Sequence, residues 1–172
     1  MTKNFFKYLT GFILFILLQV FILNKISLWN FITPMVYIAF IFSLPFQTPR
    51  LAVILLGFLM GMGIDFFTGV IGFHALATLV IAFLRSFIIR MISSREEWEE
   101  HLRPLFHDMR FIWYLQYVFW LTFIHHFVYF FVDVLSFHNF LQTMIVILSN
   151  TACSTICIFL IQILFYKSSK RY

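Results

Sequence analysis

Apolar residues run along this chain in long blocks, and charged residues fall between the blocks. Tyr8 to Asn24 is uncharged between Lys7 and Lys25, and Ile26 to Pro49 forms a second block that contains Pro34 and Pro45. Between Arg50 and Arg85 the only charge is Asp65. Phe111 to Val132 lies between Arg110 and Asp133, and a last uncharged block runs from Val134 to Tyr166. A membrane-crossing helix needs about 20 residues. The Arg50–Arg85 block is too long for one, so it predicts two spans joined by a tight turn near Thr68 to Gly72. The pattern therefore predicts spans at about 8–24, 30–46, 51–67, 73–92, 111–132 and 140–165, with a loop at 93–110. Six is the expected count, and five the alternative if the first two blocks form a less regular unit.

Composition agrees with the blocks. Of 172 residues, 62% are hydrophobic and 11% charged, against about 25% charged in soluble domains. Mean hydropathy is +0.95. A water-soluble core of this size has no room for so many Phe, Ile and Leu side chains, so lipid is the expected solvent. The reading is a single all-α polytopic membrane domain, 1–172. Its first 25 residues have a basic start and an apolar body but no small-x-small cleavage site, so they are read as a retained first span.

Net charge is +5, yet the basic residues sit at the ends of apolar blocks, a topology signal rather than a nucleic-acid footprint. With six spans, eleven Lys/Arg residues fall on one side and only Lys25 on the other. The positive-inside rule then places the N- and C-termini in the cytoplasm. Arg85 and Arg90, in the last turns of the fourth span, are expected to snorkel to the inner interface. In the loop, Ser94 and Glu97 make a capping-box pattern, and Trp98, Leu102 and Leu105 follow at helical spacing. The pattern fits either a short amphipathic surface helix limited by Pro104 or a solvated connector. Cys153 and Cys157 are four apart on one helical face and imply neither disulfide nor metal.

A charge inside a bilayer is costly, by about 2.5–3.5 kcal/mol on insertion scales, so Asp65 needs a reason. Counted from the span ends, Asp65, His74 and the His125–His126 pair lie at similar depth. Adjacent histidines point about 100° apart on a helix, so only one could join Asp65. The cluster reads as a structural hydrogen-bonded tie or as a proton relay, and a metal site is weakly supported. Gly57 and Gly61 form a G-x-x-x-G pattern with Gly63 nearby, suited to close helix contact within the chain or with a partner. Gln19 and Asn150 are expected in the polar interior of the bundle. There is no Ser/His/Asp order, phosphate loop, zinc spacing or paired catalytic carboxylate, so no enzyme, cofactor or metal is expected.

The stretch Gly57, Gly61, Asp65, Gly69, Gly72, His74, Ala75 resembles a motif of the rod shape-determining MreD family. There a leucine- and glycine-rich third span ends in aspartate, then a small-residue turn, then glycine-x-histidine-alanine. Gln19-Val20 ahead of Leu23-Asn24 adds to the likeness, whereas Glu96 to Arg103 and His125-His126 add little. The resemblance implies a multi-pass protein of the bacterial cytoplasmic (inner) membrane. It implies a non-catalytic scaffold that binds an MreC-like single-span protein and acts with MreB, RodA and a class B penicillin-binding transpeptidase in lateral peptidoglycan synthesis and rod shape. It also implies a six-helix bundle similar to the S-components of energy-coupling-factor transporters. A small-molecule (vitamin) binding or transport subunit is the alternative function.

Overall fold

The computed structural model describes residues 2–26, 32–70, 72–93, 103–134 and 140–165. Among these, the helices in chain order are α1 (Thr2–Phe21), α2 (Ala39–Phe42), α3 (Arg50–Thr68), α4 (Phe73–Ile92), α5 (Phe111–Val134) and α6 (Phe140–Phe165), with a single 3₁₀ turn at Leu23–Lys25 after α1. All but α2 are long and apolar enough to cross a membrane, which makes five candidate spans in one bundle among the described residues. Their outward faces carry side chains such as Phe66, 82% exposed, and Leu141, 78% exposed. In water such faces would be untenable, and in lipid they are the expected surface.

The expected helical span at about 30–46 is not a helix. Among its described residues the only helical piece is the four-residue α2, preceded by extended chain from Ile32 to Val36 and a turn at Tyr37–Ile38. Pro34 lacks an N–H and holds Thr33 out of the α region. The segment is uniformly apolar because it is surrounded by protein. Val36, Tyr37, Ile38, Ala39, Ile41 and Phe42 all have negligible exposed surface. Hydropathy records that a segment avoids water; it does not distinguish a lipid-facing helix from a strand of chain at the bundle centre.

The segment nevertheless traverses the bundle. Its start lies beside Gln19 near the end of α1 and Asn150 in α6. Its middle meets Thr78 in α4 through Tyr37. Its end reaches Arg85 in α4 and, through Ser43, Gln162 in α6. It therefore runs parallel to α4 and α6 and antiparallel to α1, whose Phe12 and Phe15 rings meet Phe40. Its contacts with α6 run from Asn150 to Gln162, about 18 Å along that helix. With these directions, the start of α1 and the end of α6 lie at the same end of the bundle, the end that holds Arg85. Among the described residues the long helices number five, the count expected if the first two blocks form a less regular unit.

The predicted surface helix falls on residues 94–102, outside the described residues. Beyond them Pro104 and Leu105 are buried, and Trp113 donates from its indole N–H to Ser93 Oγ at 2.7 Å.

Candidate functional site

Irregular backbone at membrane depth is tolerated only where protein groups satisfy its polar atoms. Side chains from four helices do this here. Gln19 accepts from the N–H groups of Val36 (2.8 Å) and Tyr37 (3.2 Å) through Oε1, and donates from Nε2 to the Pro34 carbonyl (2.9 Å). Asn150 Oδ1 accepts from the Thr33 N–H and Ser154 Oγ from the Met35 N–H, each at 2.9 Å. Farther along, the Tyr117 hydroxyl donates to the Phe42 carbonyl (3.1 Å), and Gln162 Nε2 donates to Ser43 Oγ (3.0 Å).

Arg85 completes the set and departs from expectation. It does not snorkel but is buried, 2% exposed, with its guanidinium donating to the carbonyls of Leu44 and Pro45 and to the Tyr117 hydroxyl. A planar fork with several donors suits the adjacent carbonyls just beyond α2, of which Pro45 also accepts from the Thr48 N–H (3.2 Å). Arg90 is exposed, as its position predicts.

Asp65 has an equally specific task. The turn between α3 and α4 needs positive φ at Gly69 (72°) and Gly72 (87°), a conformation that glycine adopts without strain. Gly72 is the N-cap of α4 and has no side chain to cap it. Asp65, from the preceding helix, supplies the missing acceptor: Oδ1 takes the His74 N–H (3.1 Å) and Oδ2 the Ala75 N–H (2.9 Å). The carboxylate also faces the positive end of the α4 dipole. His74 Nδ1 lies 2.8 Å from Asp65 Oδ1 and completes the pair.

The two span-five histidines separate, as adjacent helical residues must. His125 Nε2 is 2.7 Å from the Tyr37 hydroxyl, and Thr78 Oγ1 bonds both that hydroxyl (3.3 Å) and the His74 carbonyl (2.7 Å). The Tyr129 ring lies between the groups, 4.6 Å from the His74 ring and stacked on His125 at 6.5 Å. His126 instead faces α6. Its Nδ1 donates to the Thr122 carbonyl (2.8 Å), which leaves Nε2 to accept from the Ser154 hydroxyl (3.3 Å). Ser154 is thus free to accept from Met35, and the row His126–Ser154–Met35 is donor-consistent throughout. Neither histidine bonds Asp65. Among the described residues, no three His, Cys, Asp or Glu side chains are grouped to hold a metal.

The glycines pack within the chain. A Cβ at Gly61 would stand 2.4 Å from Ala75 Cα, at Gly57 2.7 Å from Ala82 Cβ, and at Gly63 2.8 Å from the flexible end of Ile16. Gly61→Ala is therefore expected to cost about 2 kcal/mol, because helix backbone has to move. Gly57→Ala should cost less and Gly63→Ala least, since a rotamer change of Ile16 relieves it. Thermal unfolding of the three variants in one detergent checks that order; equal shifts would contradict it.

Gln19 and Asn150 lie in the interior as predicted, and Asn150 with Thr151 is buried while Gln142 is exposed. Sequence reasoning missed Arg85, Tyr37, Tyr117 and Ser154. The available signal was the polar row Asn150, Ser154, Gln162 at four- and eight-residue spacing on one face of α6, matched to a proline-broken block that needed partners. No protein-family model matches the chain, and neither does any curated protein or solved structure.

Proposed function

We propose that this chain is a non-catalytic scaffold of the bacterial cell-wall elongation machinery, seated in the cytoplasmic membrane with both termini inside. In this reading it binds an MreC-like single-span protein and helps direct lateral peptidoglycan synthesis and rod shape, together with MreB, RodA and a class B penicillin-binding transpeptidase. The family resemblance motivates the reading. The observation that supports it is the use made of the Gly57–Ala75 motif. Its aspartate caps a helix, its outer glycines form a turn, and its inner glycines bring α3 against α4. A motif built of fold-defining parts suits a rigid intramembrane platform, whose partners meet it through spans and short turns. The vitamin-binding alternative is weakened because Asn150, Ser154 and Gln162 bond to the central segment rather than face a cavity.

Depletion of the protein should turn rod-shaped cells into spheres, and affinity purification from solubilised membranes should recover a single-span partner with a periplasmic domain. Retention of rod shape and of the wall-synthesis pattern after depletion would overturn the proposal. Recovery of an ATPase module with a bound vitamin would support the alternative.

A further inference from the structure

At the Arg85 end of the bundle, a cleft opens between the first turns of α1 and the exit of α2. Lys7 and Arg103 line it together with Tyr8, Gly11, Phe40, Ser43 and Leu44. Position 11 leaves room in the cleft: a Cβ there would only touch the edge of the Phe40 ring, at 3.8 Å. Arg103 is held over the Tyr8 ring at 5.5 Å, a cation–π contact that fixes the guanidinium beside the opening. Among the described residues, neither Lys7 nor Arg103 has an acidic side-chain partner.

We propose that this cleft binds an anionic phospholipid, with the headgroup phosphate between Lys7 and Arg103 and an acyl chain along Gly11 and Phe40. Two cations at the rim of an apolar slot match a molecule that carries a phosphate on a hydrocarbon chain. A free phosphate would use the rim and leave the slot unfilled. The inference is independent of the scaffold reading, since it rests on the cleft alone.

The test is native mass spectrometry of the whole protein from neutral-detergent micelles doped with phosphatidylglycerol or phosphatidylcholine. Phosphatidylglycerol should be retained preferentially, with binding about fivefold weaker for each charge removed in Lys7→Gln and Arg103→Gln. Gly11→Leu, which fills the slot and leaves both charges, should abolish the preference. Gly11→Ala, whose methyl group fits, should keep it. Unchanged thermal unfolding in phosphatidylcholine micelles establishes that each variant is folded, and Lys7→Gln, at an exposed position, provides a readout if Gly11→Leu is not. Equal retention of both lipids by the wild type would overturn the proposal. An undiminished preference in folded Gly11→Leu would reduce it to diffuse surface charge. Competition by free glycerol phosphate at concentrations similar to the lipid would replace the lipid by a phosphate ion.

Discussion

Gln19→Met is expected to lower unfolding free energy by about 4 kcal/mol. The replacement keeps size and removes polarity, so the N–H groups of Val36 and Tyr37 and the carbonyl of Pro34 lose their partner together. Each buried backbone group left without one costs about 1–3 kcal/mol, and the added apolar contact of Met offsets part of that sum. Rearrangement offers little relief, because extended chain has no intrahelical acceptor to fall back on. Equilibrium unfolding in mixed micelles measures the difference. Leu17→Met, on the same helix but 41% exposed toward lipid, should stay within about 0.5 kcal/mol. If the two variants unfolded alike, the central segment would not depend on Gln19.

Asp65→Ala follows, at about 3 kcal/mol. It strips the first turn of α4 of its acceptors at His74 and Ala75 and leaves the His74 ring without its 2.8 Å partner. Charged caps and buried charge-assisted bonds are worth about 1–3 kcal/mol each, and they are not additive here because they share one carboxylate. Asp65→Asn should fall between alanine and wild type. Its single carbonyl oxygen serves one side of the cap, while its amide presents a donor to the other donor. Equal loss in both variants would show that charge, not acceptance, sets the stability of the hairpin. Hydrogen exchange at the His74 and Ala75 amides, in detergent, locates the effect: both should speed up in the alanine variant before amides deeper in α4 do.

Much of this architecture was legible in the chain because lipid-crossing helices are uniform in length and composition. Five long apolar helices lie close to the bounds expected of spans, and the α3–α4 hairpin was readable from Asp65 and the glycines around Thr68. Depth arithmetic brought Asp65 and His74 together correctly. It carried no azimuth, so it could not tell that His125 turns to Tyr37 and His126 to Ser154. The second block misled for a different reason. Its hydrophobicity came from being central, and Pro34 and Pro45 were the only local signs that no helix forms there. Arg85 was read as an interface residue because position along a helix was known and the neighbouring carbonyls were not. The pairing of polar side chains with backbone is a tertiary fact, and a one-dimensional pattern holds only half of each pair.

The central segment also sets an order of assembly. Chain leaves the ribosome from its N-terminus, and α1, carrying Gln19, is made before residues 33–37 that it supports. Asn150, Ser154 and Gln162 are made some hundred residues later. Until α6 is made, the Thr33 and Met35 amides lack the acceptors they have in the folded bundle, while Val36 and Tyr37 already have Gln19. The hairpin of α3 and α4, self-capped by Asp65, needs no such delay. The middle of the bundle is thus built from chain synthesised near the beginning, and the last of its partners arrive only with α6.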